Sequence, residues 1–208
     1  MRTAMNFLVL ATLVATTAAS AAAQPTPDSS SPSCELHFWG SRQALTSTYS
    51  GVPGVLGAAL AGPRPQSEAA LSSDLPPEAQ ADALRHIDLA RLLRMPGVRL
   101  IEESAPFPGK PKEKGPRRTA STEPCYAELV VDYIGYSSHI TAGRKFGARY
   151  WLRRFPGTGR VAEVQNGGKN VGLKIYPAKK PEDHAAGLAE LAAAFGRATQ
   201  GFLESKIR

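Results

Sequence analysis

Two cysteines, Cys34 and Cys125, each open a run of strand-forming residues, CELHFW and CYAELVV. If those runs pair as parallel neighbours, both sulfurs lie at the same end of a sheet. A bridge between them would close a loop of about 90 residues, worth roughly 4–5 kcal/mol on the chain-entropy model before native strain is subtracted. Such a bridge forms in an oxidising compartment, and the alternative is a pair of buried free thiols. The start of the chain supplies the compartment. Arg2 is the only charge before Asp28, residues 7–14 (FLVLATLV) form a short apolar run, and Ala21-Ala22-Ala23 precedes Gln24. A positive start, a brief apolar run and an Ala-x-Ala exit are the parts of a secretory signal peptide. The run falls short of the ~20 apolar residues that span a bilayer, which argues against a retained anchor. Ser31-Pro32-Ser33 is a poor approach to a lipidated cysteine at Cys34, which argues against a lipoprotein. The expected organisation is a signal peptide over 1–23, a Pro- and Ser-rich disordered tether over 24–33, and a single domain over 34–208. The expected address is exported, periplasmic or secreted, with cleavage near Ala23-Gln24.

Charge is polarised along the chain. The formal net charge is +7, yet residues 110–180 hold 15 Lys/Arg against 5 Asp/Glu, a net of +10. A basic half implies an anionic neighbour. For an exported protein that neighbour is an acidic envelope protein or an anionic lipid or glycan, and nucleic acid is not expected. No later stretch of the mature chain reads as a transmembrane segment.

Periodicity gives the elements. Residues 34–39 alternate Cys34, Leu36 and Phe38 against Glu35, His37 and Trp39, a half-buried strand. Residues 41–76 are rich in Gly, Ala, Ser and Pro, with a weak helical pattern over 55–60. Pro77 suits a first helical residue, and one helix is expected from there to about Arg94, stopped by Pro96-Gly97. His86 on that helix reads as a core or boundary histidine. Residues 98–102 read as a short strand, and 104–124, with five prolines and five Lys/Arg, as a mobile basic loop. Strands follow over 125–134 and 146–155, with a turn at Pro156-Gly157-Thr158-Gly159. A further hairpin is expected at Asn166-Gly167, between strands at 161–164 and 171–176. Finally, residues 182–205 carry an apolar stripe of Leu188, Leu191, Ala192, Phe195, Ala198 and Phe202. The fold class is α+β: a mostly antiparallel sheet of about five to six strands with two main helices packed on one face.

That order resembles the small periplasmic domain shared by the amino-terminal domain of the Tol translocation protein TolB and by curli-secretion lipoproteins. The matching features are the first strand (CELHFWG), the helix ending before a Gly and a strand (RLLRMPGVRLIEES), the CYAELVV strand, the Thr-Gly turn (RRFPGTGRVAEV) and the carboxy-terminal helix. The resemblance spans roughly residues 34–204 as element order and turn type. It implies an envelope-associated, non-enzymatic partner module. The absence of a cysteine at the signal-peptide junction is a departure from the lipoproteins.

Searches for chemistry return little. The four histidines show no metal-ligand spacing, there is no Gly-x-Ser-x-Gly elbow, and no cofactor is implied. Glu128 and Asp132 lie about 13 Å apart along one strand face, too far for a retaining glycosidase pair, and read as solvent-facing. One feature stands out. In FGARYWLRRF, alternation puts Phe146, Ala148, Tyr150 and Leu152 on one face and Arg149, Trp151 and Arg153 on the other, with Arg144, Lys145 and Arg154 adding charge. Trp and Arg are the residues most enriched at interface hot spots. The candidate binding site is therefore Arg149, Trp151, Arg153, Arg144 and Lys145, assisted by the 110–118 loop. The expected function is a non-enzymatic envelope interaction module; the alternative is a hydrolase with a dispersed active site acting on envelope polymers.

Overall fold

The computed structural model describes residues 34–49, 67–139, 141–155 and 162–207. The expected signal peptide, tether, 55–60 helix and 156–159 turn lie outside the described residues. Six strands form one open mixed sheet: β1 (Cys34–Trp39), β2 (Ala44–Tyr49), β3 (Arg99–Glu102), β4 (Cys125–His139), β5 (Gly143–Phe155) and β6 (Glu163–Leu173). The order is β3-β1-β4-β5-β6, with β2 also paired to β4. β1 runs parallel to β3 and to the first half of β4, and β2 runs parallel to the second half. β4, β5 and β6 are antiparallel. The α+β class holds, but the sheet is mixed rather than simply mostly antiparallel, because β1 reaches β3 and β4 by crossovers.

Four helices are present among the described residues, not two: α1 (Glu68–Asp74), α2 (Pro77–Arg85), α3 (Leu89–Leu93) and α4 (His184–Lys206). Ser67 caps α1 by accepting from the Ala70 N–H at 3.0 Å. The expected long helix over 77–94 is broken at 86–88, because Asp88 caps a new helix, accepting from the Arg91 N–H at 3.0 Å. His86, expected in the core or at its boundary, therefore becomes the exposed C-cap of α2.

One face of the sheet carries the core. Leu36 and Phe38 of β1, Leu129 and Ile134 of β4, and Phe146, Tyr150 and Leu152 of β5 are fully buried there with Leu191, Phe195 and Phe202 of α4. Tyr150 stacks on Phe202 with ring centroids 5.0 Å apart, and its hydroxyl accepts from Thr199 at 3.1 Å. Burial pushes the Tyr150 phenol pKa up. A register shift between Val131 and Tyr133 keeps β4 in phase with this core. Before it, Ala127, Leu129 and Val131 are buried; after it, Ile134 and Tyr136 are. One extra residue resets the alternation, as a β-bulge does.

The turn from β1 to β2 is pinned from the helix side. Gln80 of α2, fully buried, donates to the Ser41 and Leu75 carbonyls at 2.7 and 2.9 Å and accepts from the Ser41 N–H at 3.0 Å. Ser41 in turn donates to the Asp132 carbonyl at the bulge, at 3.0 Å. A Cβ at Gly40 would lie 2.8 Å from Pro77, so only glycine lets the turn pass this close to α2. At the other end, Glu190 of α4 accepts from the backbone N–H groups of Lys174, Ile175 and Tyr176 at 2.7, 2.8 and 2.8 Å. Burial acts to raise its pKa, but those N–H groups and Arg144 hold it below the ordinary carboxylate value.

Two expected strands merge into one. β6 runs unbroken through Asn166-Gly167, where a hairpin was expected, leaving three strands after the basic loop instead of four. The 13-residue β5 offers a partner along this whole length, pairing Trp151 with Asn166 and Tyr150 with Gly167. Gly167 answers packing rather than a turn: a Cβ there would lie 3.2 Å from the Phe202 ring.

Cys34 and Cys125 are direct partners in the β1–β4 ladder and form a disulfide closing a 91-residue separation. No helix among the described residues is long and apolar enough to cross a membrane. Replacing both cysteines with serine is expected to lower the unfolding free energy by about 3–5 kcal/mol, read from urea denaturation. A loss below about 1 kcal/mol would show that β1 is held by its ladder alone.

Candidate functional site

The sheet's second face divides at the bulge. Strand alternation brings Glu35, His37 and Trp39 of β1, Tyr126, Glu128 and Val130 of β4, and Trp151, Arg153 and Phe155 of β5 to this side. Expectation put half of β1 in solvent, but all six of its residues are buried. The cover is the 104–124 segment, expected as a mobile basic loop. Phe107 meets Trp39 edge-on at 5.0 Å. Ser121 donates to Glu35 at 2.5 Å, Thr119 and the Tyr126 hydroxyl lie 2.9 Å apart, and the Arg118 backbone N–H donates to Glu128 at 2.7 Å. Arg117 lies 4.5 Å over the Tyr126 ring and donates to the Ser121 and Glu123 carbonyls at 3.1 and 2.7 Å.

Two polar clusters anchor that cover. In the first, Glu35 accepts from Ser121 and from Arg99 of β3 at 2.5 Å. His37 places one ring nitrogen 3.2 Å from Glu35 and the other 2.6 Å from Glu103. Burial acts to raise the Glu35 pKa, but hydrogen bonds from Ser121, Arg99 and His37 outweigh it and hold the carboxyl at about 2. In the second, Arg153 and Glu128 form an ion pair with neither side chain exposed. Arg153 also donates to the Gly115 and Pro116 carbonyls at 3.2 and 3.1 Å, and Glu128 accepts from the Tyr126 hydroxyl at 2.8 Å. Burial and the neighbouring Glu128 push the Tyr126 phenol pKa up.

These contacts redistribute the residues proposed from sequence. Glu128, expected to face solvent, is fully buried. Arg153, expected on an open binding face, is also fully buried and acts as a strut between sheet and cover. Trp151 is half-buried, with its indole nitrogen out of solvent and without a hydrogen-bond partner among the described residues. Arg149 remains exposed, lying 5.6 Å over the Trp151 ring and 3.7 Å from Asp132. Lys145 is half-exposed on the same face. Arg144 is drawn to the connection before α4, donating to the carbonyls of Lys174, Ile175 and Pro177. Of the five residues, Arg153 alone is fully buried, and Arg149, Trp151 and Lys145 share the second face while Arg144 turns to the connection before α4.

Beyond the cover, no described residue lies over the second face. A shallow cavity of about 520 Å³ has Leu45 of β2, Tyr133 and Gly135 of β4, Gly147 of β5, and Gly168 and Asn170 of β6 in its lining. Gly135 and Gly147 are cross-strand partners, and Gly168 pairs with Arg149. A Cβ at Gly147 would lie 2.4 Å from the Asn170 side-chain oxygen, so Asn170 rests directly on the glycine backbone. Leu45 is 41% exposed, one of two large hydrophobic residues so exposed among the described residues. Sequence reasoning missed this half, because ALTSTY is embedded in a Gly-, Ala- and Ser-rich stretch. Its one local signal is the Thr-rich run ending in an aromatic.

No family model matches the chain, and no curated protein matches it. Three solved structures are weakly similar. The hypothetical protein CT253 from Chlamydia trachomatis is 10% identical with a TM-score of 0.32, the match covering 83% of this chain and 92% of that one. An uncharacterized protein is 12% identical with a TM-score of 0.32, covering 84% and 92%. Protein XCC0632 from Xanthomonas campestris, of family DUF330, is 10% identical with a TM-score of 0.32, covering 86% of each. None of the three is described as a Tol translocation protein or a curli-secretion lipoprotein, and only a weak fold-level resemblance stands.

Two outcomes test the anchoring. Arg153→Ala strands a buried carboxylate and is expected to cost about 3–5 kcal/mol in urea denaturation, whereas the double replacement Arg153→Met/Glu128→Leu recovers most of that loss. Glu35 has a folded pKa below its unfolded value of 4.5, so its stabilising contribution is full above pH 4.5 and fades as pH falls toward about 2. The stability gap between the parent and Glu35→Gln is therefore expected to shrink across that window; a gap independent of pH would mean that Glu35 titrates alike in both states.

Proposed function

We propose that this chain is an exported, non-enzymatic interaction module of a cell envelope that seats a partner protein on the uncovered half of its second sheet face. The observation that carries the reading is the contrast between the two halves. One half is covered by the chain's own 104–124 segment. The other is floored by Gly135, by Gly147 with Asn170 resting on it, and by Gly168, on three adjacent strands, and no described residue covers it. Glycine contributes no side chain to pack or to solvate a strand, and its presence in a sheet suits close approach by another backbone. Around that floor stand Leu45, Tyr133 and Arg149, an apolar residue beside the aromatic and guanidinium groups that enrich interfaces. Arg149 is already oriented by Asp132 and Trp151, which lowers the ordering cost of a contact it makes.

The groups suited to acid–base chemistry, Glu35, His37, Glu103 and Glu128, are engaged with one another or with the cover. That arrangement favours the binding reading over the hydrolase. Export is supported by the Cys34–Cys125 bridge, which suits an oxidising compartment.

A photo-crosslinker placed at Leu45, and separately at Asn170, in the exported protein in living cells is expected to trap one discrete protein adduct, lost in Arg149→Glu. A crosslinker at Ile175, exposed outside this cavity, is expected to trap none. The same adduct from all three positions, or none from Leu45 and Asn170, would refute the docking face.

A further inference from the structure

We propose that the tip of the cover, residues 108–114, is an electrostatic docking site for an anionic lipid surface, separate from the protein-binding half-face. Within this segment the cations are sorted by type. The two arginines point inward: Arg117 holds the Ser121 and Glu123 carbonyls, and Arg118 lies over Phe107, 5.9 Å from its centroid. Lys110, Lys112 and Lys114 are exposed, and none of their ammonium groups has a partner among the described residues. The tip's one carboxylate, Glu113, is turned back to Arg118 at 3.6 Å. What the tip presents outward is therefore three uncompensated charges.

The tip is also pre-shaped. Gly109 adopts a positive φ of 91°, and a Cβ there would lie 3.7 Å from the Arg118 guanidinium. The Glu113 N–H closes a turn on the Lys110 carbonyl at 3.1 Å, and Pro108 before it and Pro111 within it fix φ. Lys110 and Lys112 lie in that turn and Lys114 follows it directly, so the three lysines reach a surface with less freedom to lose than on a floppy chain.

The chemistry favours a lipid surface over an acidic protein. Lysine is a strongly hydrated point charge, suited to diffuse attraction, while arginine makes the forked contacts of a specific pair. Residues 108–114 include no aromatic or large aliphatic side chain to anchor a packed interface. The nearest such residue, Phe107, is folded inward on Trp39.

The test is co-sedimentation of the purified full chain with vesicles of phosphatidylcholine, with and without about one-third phosphatidylglycerol. The apolar amino-terminal run is common to every chain compared and cancels. Binding to the anionic vesicles is expected to exceed binding to neutral ones, to fall with added salt, and to weaken about 100-fold in Lys110→Gln/Lys112→Gln/Lys114→Gln, at roughly fivefold per lysine. An unchanged urea midpoint confirms that the triple variant is folded. Arg149→Glu, which abolishes the docking-face adduct, is expected to lose no more than a few-fold here, so the two sites fail separately. Equal binding of the triple variant and its parent, or no anionic preference in the parent, would overturn the proposal. So would tighter lysine-dependent binding to a soluble poly-glutamate peptide than to the vesicles, which would assign the tip to an acidic protein.

Discussion

The ion pair between Arg153 and Glu128 sits directly across the β4–β5 ladder with no exposure on either side. Burying two charges costs several kcal/mol per ion unless every remaining donor and acceptor finds a partner. Here the partners come from the cover: the Arg118 N–H on Glu128, and the Gly115 and Pro116 carbonyls on Arg153. The Arg153 Nε has no hydrogen-bond partner among the described residues, and the guanidinium lies 5.5 and 5.4 Å from the Phe107 and Phe155 ring centroids. The pair and the segment thus require each other. Without the cover the charges would face water, and without the charges a Pro- and Lys-rich segment has little apolar surface to hold it down.

The same logic extends to β1. Its parallel pairing to β4 is locked at one end by the disulfide, which also sets the register that places Glu35 and His37 under Ser121 and beside Glu103. A strand buried on both faces usually reads as continuous apolar sequence. This one reads as alternating, because Glu35 and His37 on its second face are buried by hydrogen bonds and ion pairs, beside Trp39 packed on Phe107.

That difference explains what the sequence disclosed. The helix face was legible because it depends on periodicity: Phe146, Tyr150 and Leu152 against Leu191, Phe195 and Phe202 follow from periods of two and three to four. The cysteine pairing was legible because both residues open strands. Arg153 was not, since an arginine on a strand ordinarily faces solvent, and its burial rests on a carboxylate 25 residues away. The available signal was opposite charge at positions that become cross-strand partners once the β4–β5 hairpin is aligned. The bulge at Asp132 was equally hidden, and with it the phase of everything after it. Asn166-Gly167 carried a true turn signal that lost to a longer partner strand. The glycine floor could not be read at all before β2, β4, β5 and β6 were placed side by side.

The second face therefore holds three surfaces made by one strategy of covering part of a sheet. Arginines and glutamates that serve the cover are withdrawn from solvent, so the strongest polar groups of the basic half are internal. What remains outside is of two kinds. The tip carries lysines without apolar neighbours, and the other half-face carries Leu45, Tyr133 and Arg149 around Gly135, Gly168 and Asn170. A charged tip acts over a Debye length, about 10 Å at moderate salt, whereas a glycine-floored groove acts only at contact. On the proposed reading, long-range attraction at the tip would precede short-range fit of a partner to the half-face. Because the tip belongs to the segment that Arg153 and Glu128 hold to the sheet, with Arg118 touching both Glu113 and Glu128, the presentation of the tip is tied to the integrity of that anchoring.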